Sequence, residues 1–207
     1  SGVRPFFCQV EAVETAIWLT EVAPGKGKAA QKFIEHLHDA NEDANPGVMR
    51  LALKLATGAG KTTVMAMLMA WQTINWARRP TSHRYSRGFL LIAPGLTIKD
   101  RLRVLLPNDA DSYYKTRELI PSDMMGELEK CKIVITNYHA FKLRERMELS
   151  KGGRLLLSSL AKCTDWHDQR VNHNVAGRDS IISGVINNFF GHGETLVWIH
   201  ADAGLIV

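Results

Sequence analysis

Apolar positions recur along the first part of the chain at two different spacings. From Cys8 to Leu19 the residues Val10, Val13, Ala16, Ile17 and Leu19 return every three or four positions, with Glu11 and Glu14 off that face, which predicts an amphipathic helix. "APGKGK" interrupts it, "AAQKFIEHLHDANED" reads as a second helix, and "ANPG" punctuates before the next element. In "VMRLALKLA" the spacing changes to alternation, with Leu51, Leu53 and Leu55 on one side and Ala52 and Lys54 on the other, as in a strand. "KTTVMAMLMAWQTINWA" follows as a run of helix formers without a breaker, and "RRPTSHRYSRG" is a polar, basic connection.

The alternation of strand and helix continues. "FLLIAP" reads as a buried strand and "TIKDRLRVLL" as a helix, with Thr97 and Asp100 at capping-box spacing. A short helix is expected around Met124 to Lys130, then a third strand in "KIVIT". Strands separated by helices predict a parallel sheet covered on both faces, hence an α/β fold. Beyond Arg154 no period is sustained, and the one further strand expected is Thr195 to Ile199. The division is therefore 1–154 as one α/β unit and 155–207 as an unassigned tail.

Composition narrows the class only slightly. The chain has 207 residues, 45% of them hydrophobic, enough for one domain with a substantial core. Its net charge of +5 is a mild bias toward polyanionic partners and decides nothing alone. Cys8, Cys131 and Cys163 are scattered and have no C-x-x-C spacing, which argues against a disulfide framework or zinc ribbon and for a reducing, cytoplasmic setting. Cys163, His167 and His173 lack the second pair that a metal reading needs. No secretory pattern opens the chain, and its apolar runs are too short to span a bilayer, so no membrane partner is expected. The absence of an initiator methionine before Ser1 suggests a fragment.

The chemistry concentrates in "ATGAGKTT", Ala56 to Thr63, between the first strand and the third helix. A phosphate chain is compact and highly charged, so it needs converging donors with no side chain in the way. Gly58 and Gly60 let the backbone of Thr57 to Thr63, through Ala59, wrap closely, while the following helix N-terminus points its free amides at the anion. Lys61 would reach the β- and γ-phosphates of ATP, and Thr62 would place its hydroxyl on Mg²⁺. The competing account is a glycine turn with an incidental lysine; the strand before and the helix after favour nucleotide. Glycine is absent at Leu55, where the fuller G-x-x-x-x-G-K-[ST] pattern requires it, and A-T-G-x-G-K-T is the form found in superfamily 2 helicases and translocases.

Upstream, "RPFFCQ" places Gln9 after Arg4-Pro5. A glutamine amide donates and accepts at once, so it can pair with adenine N6–H and N7. A solvated glutamine on the first helix is the alternative. With "RPFFCQVEAVETAIWL", "LALKLATGAGKTTVMAML", "FLLIAPGLTIKDRL" and "KIVITNYHAFKLRERMELSKGGR" in this order and spacing, the chain resembles the N-terminal motor lobe of the restriction subunit of type III restriction enzymes. The resemblance covers about the first three quarters of the chain. It implies a RecA-like P-loop lobe of an ATP-dependent translocase that acts on double-stranded DNA beside a methyltransferase subunit, with endonuclease activity further along the parent chain.

The resemblance also assigns residues. In "APGLT", Pro94, Gly95 and Thr97 match a motif that touches the nucleic-acid backbone, and in "ITNYHAF", Thr136 and Asn137 match another. Both motifs follow strands, at the carboxyl edge where open α/β sheets bind ligands. The competing account is a capped helix after a buried strand, with Tyr138 in the core of the second; the two readings balance at Thr97, while DNA contact is favoured for Thr136 and Asn137 and not for His139. The basic run "KLRERM" then "SKGGR" could be a backbone-binding face, but with Glu145 and Glu148 offsetting its charge a solvated helix is the default reading.

Hydrolysis further needs an acid that holds Mg²⁺. The D-E-A-H tetrapeptide of the family does not occur in this sequence, and Asp202 in "LVWIHADAG" is the nearest candidate metal ligand. Neither the second motor lobe nor a nuclease centre is recognisable, the pattern expected of a truncated chain or of one whose frame shifts after "KGGR". A different P-loop enzyme such as a kinase, or a non-catalytic nucleotide-binding fragment, are the alternatives in function.

Overall fold

The computed structural model describes residues 4–44, 51–93, 96–137, 197–200 and 205–206. The first helix, α1 (Phe7–Ile17), buries the predicted face through Val13 and Ala16 and leaves Glu11 and Glu14 in solvent. It does not reach Leu19 as an α-helix. The Thr20 hydroxyl donates to the Ala16 carbonyl at 2.8 Å, the acceptor that an α-helix reserves for the Thr20 amide. There the chain widens into a π-helical turn, Trp18–Val22, and then tightens into a 3₁₀ turn, Ala23–Gly25, at Pro24. Helix α2 (Lys28–Ala44) is polar around most of its circumference, with Ala30, Ile34 and Leu37 forming a narrow half-buried stripe. Its Phe33 meets Trp18 edge to face, ring centroids 6.3 Å apart.

The first strand departs from expectation. Among the described residues of "VMRLALKLA", only Ala52–Leu53 (β1) pair as a strand, and they pair antiparallel with β5 (Leu205–Ile206). The predicted alternation nonetheless holds: Leu53 is buried and Leu51 and Leu55 are half-buried, while Ala52, Lys54 and Ala56 are exposed. The ladder ends because the chain is already turning, with the Ala56 carbonyl accepting the Ala59 amide at 3.2 Å.

Helix α3 (Lys61–Arg78) lies deep in the fold, burying Thr63 to Ala66, Leu68 to Ala70 and Thr73. The strand β2 (Gly88–Ala93) is buried at every position, which is why its sequence is a continuous apolar run rather than an alternating one. It is the middle strand of a parallel three-stranded sheet, with β3 (Lys132–Asn137) on one side and β4 (Val197–His200) on the other. The register places Leu91 beside both Ile135 and Ile199. One face of β2, through Phe89, Leu91 and Ala93, joins α3 and α1 in the main core. β4 falls within the stretch that the sequence left without assignment, two positions later than the expected strand began.

Short elements close the core between β2 and β3: α4 (Leu96–Arg101) with a 3₁₀ turn, Leu102–Leu105, then α5 (Tyr113–Thr116) and α6 (Met125–Leu128). Leu105, Tyr114 and Leu128 are their buried anchors. The Tyr114 hydroxyl donates to the thioether of Met69 at 3.9 Å, and burial holds its phenol protonated far above the ordinary range. Because α4 begins at Leu96, Thr97 sits inside its first turn rather than at the cap that the spacing with Asp100 suggested. Among the described residues, no helix is long and apolar enough to cross a membrane.

Candidate functional site

Between β1 and α3 the chain makes a tight loop whose conformation only glycine accommodates without strain. Gly58 has φ +82° and Gly60 φ +77°, in the left-handed region where a Cβ costs about 1–2 kcal/mol. Gly60 is the N-cap of α3, so Lys61 is the first helical residue and Thr62 the second. Helix start, lysine and hydroxyl thus follow the loop directly, and the unpaired amides of the first turn point back toward it. Both Lys61 and Thr62 are half-exposed, and among the described residues no carboxylate pairs with Lys61. Thr57 and Gly58 are exposed and Ala59 half-buried, so the rim of the loop is open to solvent.

Thr63 differs from its neighbours. It is 2% exposed, and its Oγ1 accepts a hydrogen bond from Nη1 of Arg117 at 3.1 Å. Its hydroxyl lies 3.5 Å from the Cβ position of Gly60, on the side that Arg117 engages.

Gln9 is also 2% exposed, in the first turn of α1. Its Oε1 accepts the Phe6 amide at 3.0 Å, and its Nε2 donates to the Ala59 carbonyl at 2.8 Å. The two ends of the amide that could read a base are therefore engaged within the chain, one of them with the phosphate loop itself. The adjacent small pocket is lined by Arg4, Phe6, Gln9, Thr63, Arg117 and Leu119. Gln9 thus links the two sequence motifs physically, across fifty positions of chain.

Arg117 was not singled out from the sequence. Its guanidinium carbon lies 4.0 Å from the centroid of the Tyr113 ring, and this is where a signal was available: arginine four residues after tyrosine on a helical turn is spaced for such stacking.

The second group of candidates gathers at the carboxyl edge of the parallel sheet. Register pairs Ile92 with Thr136 and Ala93 with Asn137, so β2 and β3 end together, and α4 packs against both strands. Thr136 is half-buried near the end of β3 and Thr97 is exposed on α4. Pro94, Gly95, Tyr138, His139 and the basic segments after them lie outside the described residues. So do Asp202 and the Cys163, His167 and His173 group.

A family model described as "Type III restriction enzyme, res subunit" matches residues 7–169, from the start of α1 through both glycine-loop and sheet-edge motifs and on past Arg154. No curated protein and no solved structure matches the chain.

Proposed function

The chain belongs to the family of type III restriction enzyme res subunits, and from that premise we propose that it is the ATP-binding, RecA-like motor lobe of a DNA-translocating restriction subunit. The observation that carries this is the loop: two glycines with positive φ opening onto the N-terminus of a long buried helix that begins with Lys61 and Thr62. The cradle fits a polyphosphate, since beside Gly58 nothing lies within 4 Å of where a side chain would project.

In this reading the amides of Thr57 to Gly60 and of the first turn of α3 hold the β-phosphate, and Lys61 balances charge on the γ-phosphate. Thr62 would supply a hydroxyl to Mg²⁺, and the ion would contribute charge neutralisation at the phosphates. Gln9 exchanges its bonds to Phe6 and Ala59 for the adenine edge, so base recognition and the shape of the phosphate loop are read by one amide. Thr97, Thr136 and Asn137, with Pro94 and Gly95, contact the DNA backbone along the sheet edge, and a modification subunit is the partner within a cytoplasmic complex. Asp202, shortly after β4, is the candidate acid for the metal.

The test is the ATP hydrolysis rate of the 207-residue chain and of its Lys61→Ala variant, each with and without double-stranded DNA. A DNA-stimulated rate lost in the variant supports the motor reading. Hydrolysis indifferent to DNA points instead to another P-loop enzyme or kinase. Nucleotide binding that Lys61→Ala weakens, with no turnover in any condition, leaves a binding fragment.

A further inference from the structure

Arg117 is an unusual cation for its position. It is half-buried beside the phosphate loop, yet among the described residues no carboxylate pairs with it. Its observed partners are a neutral hydroxyl, Thr63 Oγ1, and the face of the Tyr113 ring. A partly desolvated guanidinium is commonly matched by a negative group, because these contacts replace only part of its lost hydration.

The chain also holds Arg117 in place at some cost. Helix α5 ends with the Leu119 amide bonded to the Tyr114 carbonyl at 3.2 Å, a closure that requires a left-handed residue between them. Glu118 fills that position with φ +49°, where glycine is the usual choice. Glu118 is the one non-glycine residue with positive φ among those described. Strain of this kind persists where the surrounding structure fixes a geometry, and here it fixes the residue next to Arg117.

The third observation is the company Arg117 keeps. It lines the same small pocket as Gln9 and Phe6, and Phe6 is 61% exposed, an aromatic ring left in solvent. The free space in the pocket, about 30 Å³, suits a water molecule and not a purine, so a base enters by displacing a wall. Gln9 and the exposed Phe6 are the walls with something to gain from that exchange. Arg117, clamped between Thr63 and Tyr113, is the wall that stays.

We propose that Arg117 is a nucleotide-contacting residue, the fixed wall on which the base of a bound nucleoside triphosphate stacks, with Gln9 at the base's edge and Phe6 completing the pocket. This rests on the nucleotide reading of the glycine loop and adds a residue to it. A guanidinium plane stacks on any base, so Arg117 contributes affinity, and discrimination between bases falls to Gln9. Through Thr63 the same side chain touches the first turns of α3, directly after Lys61 and Thr62.

The experiment compares binding of ATP, GTP and inorganic tripolyphosphate by calorimetry, for the whole chain and for Arg117→Ala and Arg117→Lys, with thermal melting as the control on folding. The expected result is a loss of roughly tenfold for both nucleotides in both variants, since lysine keeps the charge and lacks the plane, with tripolyphosphate binding unchanged. Unchanged ATP affinity in a folded variant overturns the assignment. An equal loss for tripolyphosphate also overturns it, by making Arg117 a support of the phosphate loop. An unmodified chain that binds neither ATP nor tripolyphosphate overturns the nucleotide reading itself, and Arg117 with it.

Discussion

Gln9 occupies the space that a side chain on Gly60 would need. A Cβ built on Gly60 collides with Gln9 Nε2, and the backbone there already has φ +77°. Gly60 thus answers two demands at once, one from the loop's own backbone and one from a residue on α1. At Gly58 only the first applies, since nothing lies within 4 Å of its Cβ position.

The two glycines should therefore respond differently to alanine. Gly58→Ala is expected to cost about 1–2 kcal/mol in urea denaturation, the strain of the left-handed backbone alone. Gly60→Ala should cost about 3 kcal/mol, and Gln9→Ala in its background should recover part of that loss. Equal costs at the two positions would show that Gln9 does not press on the loop.

Among the described residues no carboxylate pairs with Lys61. Its replacement by alanine should leave the melting temperature within about two degrees, since a surface change of this kind is usually within about 0.5 kcal/mol. Nucleotide affinity, measured by calorimetry, should fall at least tenfold in order of magnitude, as expected for loss of a charge-assisted phosphate contact.

Glu21 joins the turn after α1 to α3 and to the approach to β2. Its carboxylate accepts the Trp71 indole N–H at 2.6 Å and the Tyr85 hydroxyl at 3.0 Å, and Tyr85 accepts from Arg79 at 3.0 Å. Burial, and then the Glu21 carboxylate, push the Tyr85 phenol above its ordinary range. Glu21→Ala should destabilise the chain by about 1–3 kcal/mol and shift Trp71 fluorescence. The same variant should move the Tyr85 ionisation to lower pH in an ultraviolet titration compared against Tyr85→Phe.

The cysteines separate by burial. Cys8 is exposed, whereas burial pushes the Cys131 thiol up to about 11. At pH 8 an alkylating reagent should label Cys8 within minutes and spare Cys131 in the folded chain, as read by peptide mass spectrometry. The linkage has a definite sign. Between the ordinary thiol value near 9 and about 11, the unfolded chain releases a proton that the folded chain keeps. Stability should fall as pH rises through that window and should fall less in Cys131→Ala.

The sheet edge offers a test that leaves the nucleotide site alone. Thr97→Glu places a negative charge on the exposed face of α4. If DNA phosphates pass there, affinity in a filter-binding assay should drop roughly tenfold, with ATP binding unchanged. An undiminished DNA affinity would remove Thr97 from the interface.

Much of the architecture was legible because burial writes itself into spacing. The buried face of α1, the continuous apolar run of β2 and the glycine loop before α3 are local patterns with one structural solution each. The short antiparallel β1 was not legible, since Leu51, Leu53 and Leu55 point inward whether or not a neighbouring strand pairs with them. The π-helical turn depends on one hydroxyl, that of Thr20, competing for a carbonyl. The engagement of Gln9 with Ala59 and of Arg117 with Thr63 joins residues about fifty positions apart, a separation that no periodicity encodes. For the candidate site, residue types and their order were readable, and which of them share a pocket was not.

The position of β2 between β3 and β4 also matters while the protein is being made. One edge of β2 finds its partner soon after it leaves the ribosome, but the other waits for Val197 to His200. At about 5–20 residues per second that interval is on the order of ten seconds. For that time the most apolar of the described strands carries an open row of amides and carbonyls, the condition under which nascent chains recruit chaperones or pair with one another.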